Sequence, residues 1–279
     1  MDEYRATNRA NWDERAPAHA EASSYRVDQL VADPEALSEV VAFDAPYLGD
    51  VTGLDLLHLQ CHIGTDTLSW VRLGANVTGL DFSPASLAQA RTIAARMGIE
   101  ADWVEAEFYD APTALGGRTF DVVYTGVGAL CWLPDIAGWA RVVASCLKPG
   151  GRLLVREGHP MMWALDDERD DDVLAVRYPY FEADEPNRFD EDGTYADVPE
   201  GTSFATTTTY DWSHGIGEIL TAVLDAGLVI EGFEEHRFLD WQPWDLFEPI
   251  PGTGTYRLPD RLSDRVPLAY TLQARRPGA

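Results

Sequence analysis

The 279-residue chain carries 47 acidic and 21 basic side chains, a formal net charge of −26, and its single lysine is Lys148. That balance works against nucleic-acid and anionic-membrane partners, whose binding rests on basic side chains. Hydrophobic residues make up 46% and aromatic residues 11%, which excludes an acidic disordered chain and leaves apolar surface for a sizeable core.

Residues 1–15 are polar and mixed in charge, and no run of 18 apolar residues occurs, so neither a secretory leader nor a membrane span is expected. Cys61, Cys131 and Cys146 are odd in number and lack metal-type spacing. That predicts reduced thiols, a cytoplasmic setting and no metal site.

In chain order, residues 4–20 read as a polar helix carrying Trp12, and 34–48 as a second helix with Leu37, Val40, Val41 and Phe43 inward. The pattern then changes to alternation. Residues 54–59 are a buried strand, 65–73 a helix, and 75–80 a strand that ends at Asp81. Ser83 and Pro84 open the next helix as cap and first residue, and Gly98 closes it. Strands follow at 101–106, 120–125 and 152–157, with a helix at 135–147. Beyond His159 and Pro160 the alternation stops. Residues 166–200 hold 14 acidic and three basic side chains, and 202–210 read as extended. A helix at 216–226 and strands at 228–235 and 267–275 complete the chain, with a proline- and tryptophan-rich loop at 237–266.

This order predicts an α/β, Rossmann-like fold: a seven-stranded, mostly parallel sheet with helices on both faces and the last two strands as an antiparallel edge pair. A single domain spanning 1–279 is expected. It comprises a helical flap (1–48), a core (50–160), an acidic insertion or lid (161–212), and a C-terminal helix with edge strands (213–279).

In such a sheet, ligands bind beyond the carboxyl ends of the strands. The first strand runs into Gln60, Cys61, His62, Ile63 and Gly64, where Gly64 permits close backbone approach. Asp81, 17 residues on from Gly64, can accept two ribose hydroxyls. Glu107 and Phe108 follow the third strand, and Thr125, Gly126, Val127 and Gly128 the fourth. His58, Cys61 and His62 do not form a convincing metal cluster, since their side chains should diverge.

Four stretches in this order, LLHLQCHIGTDTLSW, VTGLDFSPASLAQAR, EAEFYDAP and FDVVYTGVGALCWLPD followed by LKPGGRLLV, resemble the class I S-adenosylmethionine-dependent methyltransferases. The likeness is strongest over 50–160 and is similar to a bacterial subset acting on small molecules. It implies S-adenosylmethionine as cofactor and S-adenosylhomocysteine as product. It implies that Asp81 holds the ribose, Phe82 flanks the adenine, and Glu107 with the Phe108 amide reads the adenine edge. The first loop would wrap the methionine end. The chain departs from the family's glycine-rich loop: His58 stands at the acidic position, and Gln60 and His62 replace two glycines. Their side chains are expected to supply contacts that backbone otherwise makes.

His159, ending the fifth strand, is the expected base or acceptor-orienting group, with His19 and His214 behind it. Trp132, Trp163, Trp241 and Trp244 are expected to cover the acceptor, which favours a small molecule with an aromatic or apolar body. Trp12 and Tyr25 are expected in a flap over the cofactor. The competing readings are an NAD(P)-dependent oxidoreductase, which also places an acid after strand two but needs a G-x-G-x-x-G loop missing here, and a non-catalytic S-adenosylmethionine-binding protein.

Overall fold

Leu56 and Val122 point to one side of the central sheet, and Leu57, Leu59 and Val123 to the other, as the two-residue period of a strand buried on both faces requires. The computed structural model describes residues 2–169, 171 and 173–278. Its strands are β1 (Asp55–Leu59), β2 (Asn76–Asp81), β3 (Asp102–Glu105), β4 (Phe120–Thr125), β5 (Leu147–Gly158), β6 (Asn187–Asp190), β7 (Thr208–Asp211), β8 (Val229–His236), β9 (Glu248–Pro249), β10 (Tyr256–Arg257) and β11 (Ala269–Arg275). The helices are α1 (Glu3–Glu21), α2 (Val27–Ala32), α3 (Glu39–Leu48), α4 (Thr65–Arg72), α5 (Pro84–Met97), α6 (Ala111–Ala114), α7 (Ile136–Cys146), α8 (Pro160–Trp163) and α9 (Ile216–Asp225).

The main sheet runs β3-β2-β1-β4-β5-β11-β8. It is parallel from β3 to β5, and β11 is antiparallel to both β5 and β8. The expected seven-stranded Rossmann-like sheet is therefore observed. Strand order reverses between β1 and β4, which opens a crevice at their carboxyl ends. On one face Trp139 of α7 and Val223 of α9 pack on Leu57, Val123, Val155 and Tyr270. On the other, Val41 of α3 and Trp70 of α4 pack on Leu56, Val122 and Leu154.

Local signals place the helix ends. The Ser83 hydroxyl accepts the Ser86 amide, Pro84 is the first helical residue, and Gly98 closes α5 at φ 66°. The expected helix at 34–48 begins only at Glu39, because Ser38 caps it by accepting the Val41 amide. A separate short helix, α2, precedes it. Two features escape the linear pattern. The 161–212 insertion contains the hairpin β6–β7, and the 237–266 loop contains the β9–β10 pair and its own small core of Leu239, Phe247 and Leu258. Asp170 and Asp172 of the acidic run lie outside the described residues. Among the described residues no helix is long and apolar enough to cross a membrane.

Candidate functional site

The loop after β1 keeps a glycine-like path without most of its glycines. Gln60 has φ 55° and His62 φ 49°, followed by Gly64 at φ 79°. Two non-glycine residues thus hold left-handed backbone, which costs on the order of 1–3 kcal/mol each and persists where surrounding contacts enforce it. Those contacts are present. The Gln60 side-chain amide donates to the Ala129 carbonyl (2.9 Å), and the His62 backbone amide donates to Asp81 Oδ2 (2.8 Å). The other Asp81 oxygen accepts the Ser83 amide (2.9 Å). Burial pushes Asp81 up to about 6, against the pull of those two amides. At Gly64 itself, a Cβ would come within 2.5 Å of the Trp103 ring and 2.9 Å of the Ala90 Cβ, so no larger residue fits.

Next to this loop, Gly126 faces a polar niche. A Cβ there would lie 3.5 Å from Asp66 Oδ2, 3.6 Å from the Tyr124 hydroxyl and 3.7 Å from His58 Nε2. Burial raises Asp66 to about 6 and lowers His58 to about 3. His58 Nδ1 is paired with the Thr67 hydroxyl (2.9 Å). Asp66, in the first turn of α4, carries no mark in the sequence that separates it from a surface acid.

The N-terminal helix lies across the carboxyl ends of β2 and β3. Asp13 accepts the Ser83 hydroxyl (2.6 Å), Arg9 pairs with Glu105 (3.1 Å), and Arg5 pairs with Glu107. Glu107 also accepts the Tyr109 amide (2.8 Å). The same helix is fastened to the acidic insertion by side chains that read its backbone. Asn8 exchanges hydrogen bonds with the Tyr210 amide and carbonyl (2.8 and 2.7 Å), Arg15 donates to Thr206 and Gly193 carbonyls (2.8 and 2.9 Å), and Glu14 accepts the Ala205 and Thr206 amides (both 2.7 Å). Flap and insertion therefore form one cover.

Beneath that cover lies an aromatic cluster. His19 Nδ1 and His62 Nε2 are 2.9 Å apart, His19 Nε2 meets the Thr194 hydroxyl (2.6 Å), and His62 Nδ1 meets Ser86 (3.1 Å). Trp12 packs edge-on to His62 and Trp132, and Tyr25 stacks on His19 while its hydroxyl bonds that of Tyr195. Burial lowers His19 to about 4 and His62 well below its usual value, so the pair is two neutral rings. His19, expected near the acceptor, thus belongs to the loop that follows β1. Trp132 joins it there and donates to the Gly128 carbonyl (2.8 Å).

A second region opens beyond β4 and β5. A cavity with about 500 Å³ of non-atom space, part of it open to solvent, is lined by Cys131, Trp163, Phe189, Asp211, His214 and Tyr270 among others. Trp163 and His214 of the expected acceptor set are there. His214 sits between the Leu133 carbonyl (2.7 Å) and Glu182 (2.9 Å). Trp241 stacks on Trp163 with ring centroids 5.6 Å apart, whereas Trp244 packs on Phe247 in the loop core. His159 does not line the cavity. Its Nδ1 accepts the Met161 amide (3.0 Å) as the cap of α8, and its Nε2 lies 3.1 Å from Glu235. Gly158 leaves room for Trp163, since a Cβ there would be 2.6 Å from the indole nitrogen.

Glu157, which the sequence reading passed over, holds the loop after β4. It accepts four backbone amides: Gly128 and Gly158 on one oxygen (2.6 and 2.8 Å), Ala129 and Leu130 on the other (2.7 and 2.8 Å). Glu157→Gln keeps the shape but turns an NH2 group toward two of those donors. Chemical denaturation should show a loss of about 2–4 kcal/mol, by the cost of unsatisfied buried amides.

The residues at the crevice fit S-adenosylmethionine. Gln60 Oε1 and Thr125 Oγ1, at the carboxyl ends of β1 and β4, are buried without hydrogen-bond partners. These are acceptors in want of a donor, and the methionine ammonium is one. Asp81 retains lone pairs for ribose hydroxyls beyond those given to the two amides. Phe82 is half-buried at the start of the adenine side, and Phe108 has its ring in the core with Tyr109, so only its backbone is free for recognition. Cys61 contributes packing: its sulfur lies 2.9 Å from where a Gly79 Cβ would be, and burial raises the thiol far above its usual range. Glu107 is taken by Arg5, so reading an adenine requires that ion pair to part. Among the described residues no three potential metal ligands converge.

Comparison with known proteins agrees with this geometry. Residues 57–153 match the family model of a methyltransferase domain. A ubiquinone biosynthesis O-methyltransferase of Xanthomonas euvesicatoria pv. vesicatoria (strain 85-10) is 33% identical over 106 residues, 38% of this chain and 44% of that protein. The enzyme of the same name from Salmonella arizonae (strain ATCC BAA-731 / CDC346-86 / RSK2980) is 31% identical over 157 residues, 55% of this chain and 64% of that one. The chain thus spans roughly half the length of these curated relatives. The crystal structure of an S-adenosylmethionine-dependent methyltransferase from Mesorhizobium loti shares the fold, with TM-score 0.53 and 21% identity over 84% of this chain and 97% of that one.

Proposed function

Since the chain belongs to the class I S-adenosylmethionine-dependent methyltransferase family, we propose that it transfers a methyl group to a small molecule held in the cavity beyond β4 and β5. The carrying observation is the loop after β1. It retains left-handed backbone at Gln60, His62 and Gly64 and is tied by the His62 amide to Asp81, the carboxylate positioned for a ribose. Bound there, S-adenosylmethionine supplies a sulfonium-activated methyl: an acceptor lone pair forms the new bond to carbon as the carbon–sulfur bond breaks, its electron pair stays on sulfur, and S-adenosylhomocysteine leaves.

The protein's part is placement and exclusion of water. Asp81 takes the ribose hydroxyls. Gln60, Thr125 and Asp66 take the methionine ammonium beside the Gly126–Val127 backbone, and Phe82 flanks the adenine. Glu107 and the Phe108 amide meet the adenine edge once Arg5 withdraws. Trp12, Tyr25 and His62 roof the site and keep water from the sulfonium. The family model matches residues 57–153, whereas Trp163, Asp211 and His214 wall the acceptor.

His159 acts in this reading as a positioning residue, because its capping of α8 sets Trp163 against Gly158. Asparagine is also a good cap, so His159→Asn should retain turnover within about threefold while His159→Ala loses it more deeply with cofactor affinity unchanged. Equal loss in both variants would restore His159 as a base. The overall reading is tested with methyl-labelled S-adenosylmethionine and a metabolite extract. Label should move to a low-molecular-mass acceptor, and S-adenosylhomocysteine should raise the melting temperature. Stabilisation by NAD(H) and none by either adenosyl compound would overturn it.

A further inference from the structure

We infer that the acceptor is an amine with a flat apolar body, bound as its ammonium in the cavity between the Asp211 carboxylate and the Tyr270 side chain, where Asp211 takes one N–H proton to free the nitrogen lone pair that receives the methyl; this rests on the methyl-transfer reading above. Two independent observations carry it. Asp211 ends β7 on the cavity wall, where its hydrogen-bond donor is the Asn187 side chain (2.8 Å). Tyr270 lines the same cavity, is fully buried, and its hydroxyl has no hydrogen-bond partner. A buried polar group left unpaired costs free energy until a ligand supplies its partner.

The other titratable groups on the cavity wall that could carry charge near neutral pH are already engaged. Both oxygens of Glu157 are filled by backbone amides, and both His214 nitrogens are engaged by Leu133 and Glu182. No lysine or arginine is among the lining residues. His214, the lining group able to carry positive charge, is held by the Glu182 carboxylate, so an anionic acceptor would meet Asp211 and Glu157 with no unpaired cation to offset them. A neutral one would leave Asp211 with only the Glu182-paired His214 as a positive neighbour. Trp163, Tyr178, Phe189 and Trp212 supply aromatic walls, which suit a planar body and attract a cation over their faces. Burial raises Asp211 to about 6, so the group is still ionised at neutral pH.

The test is calorimetric titration of the full chain, saturated with S-adenosylhomocysteine at pH 7.5, with 2-phenylethylamine, 2-phenylethanol and phenylacetate. The amine should bind at least about tenfold more tightly than the other two, which corresponds to about 1.4 kcal/mol. Asp211→Asn should bring the amine down to the level of the alcohol while S-adenosylhomocysteine affinity holds, and Tyr270→Phe should weaken the amine about threefold. Phenylacetate or the alcohol binding as tightly as the amine overturns the inference. So does absence of amine binding, or an amine preference that survives in Asp211→Asn. Should Asp211→Asn fail to fold, the three-probe comparison on the unaltered protein decides. Failure of S-adenosylhomocysteine itself to bind would instead overturn the cofactor reading, and the first titration separates the two.

Discussion

Asp81→Ala should raise the dissociation constant for S-adenosylhomocysteine by about ten- to a hundredfold, or about 1.4–2.7 kcal/mol. The lower bound is the loss of a charged acceptor for the ribose hydroxyls, since hydrogen bonds to a charged group contribute about 1.5–3 kcal/mol. The upper bound adds a loop effect. Asp81 also holds the His62 and Ser83 amides, and the His62 amide belongs to the strained left-handed turn. Without the carboxylate nothing on β2 holds that turn at its unfavourable φ. Melting temperature of the free protein should therefore fall along with affinity. Asp81→Asn separates the two effects. It keeps an oxygen for one amide, so it should recover part of the stability and little of the affinity. Unchanged affinity in Asp81→Ala would remove Asp81 from the ribose site.

The cover over this site explains how a polar helix stays on a sheet. Asn8, Asn11 and Arg15 of α1 are buried, yet each spends its polar groups on insertion backbone. Buried polar side chains so satisfied fix one arrangement, where apolar ones would allow several. The helix bridges both ligands' regions: Arg5 and Asp13 touch the cofactor side, while Asn8 reaches Tyr210, adjacent to Asp211.

Much of the sheet was legible because its signals are local. Apolar runs ending at Leu59 and Thr125, the Ser83–Pro84 start and the Gly98 stop are each readable within a few residues. Asp81 was legible for the same reason, standing at a strand end just before a capped helix. The remaining site residues lack such a signature. Asp66 looks like any acid in a first helical turn, and Glu157 and Tyr270 look like ordinary strand positions. The positions of Glu157 and Tyr270 come from β4, β5 and β11 lying side by side, and that of Asp66 from α4 packing beside the Gly126 turn, which no short window shows. The flap–insertion clamp joins positions almost 200 residues apart through side-chain contacts to backbone, which leave no periodicity in either segment. At His159, capping and catalysis predict the same histidine before proline; the structure shows the Met161 and Glu235 contacts, and the His159→Asn and His159→Ala pair separates the two roles.

Cofactor affinity and stability of the free protein should both fall as pH drops from 7 to 5. Burial raises Asp66 and Asp81 to about 6, above the usual carboxylate value of about 3.9. A carboxylate raised by folding disfavours the folded state once it is ionised, and that cost disappears as pH falls through about 6 toward the unfolded value. Self-repulsion from the net charge of −26 eases over the same range. Carboxylates held low by their partners, such as Asp50 with Thr52 and Asp190 with Thr208, lose their contribution only at more acidic pH, so they do not reverse the trend in this window. The histidines do: burial lowers His19 to about 4, His58 to about 3 and His62 well below its usual value, so below about 6.5 the unfolded chain takes up protons that these rings refuse. Their stability is lost as pH falls from about 6.5 toward their folded values, and the free protein should melt lower at pH 5.5 than at pH 7.5. The cofactor needs the ionised forms: Asp66 for its ammonium and Asp81 as acceptor for the ribose. Its dissociation constant should rise about tenfold per pH unit below 6 where one carboxylate must release a proton, and up to about a hundredfold where both must. Asp66→Asn should weaken binding at pH 7.5 and flatten the slope by about one proton. Calorimetric titration with S-adenosylhomocysteine between pH 5 and 8 reads both, and an affinity independent of pH over that range would dismiss both carboxylates as cofactor ligands.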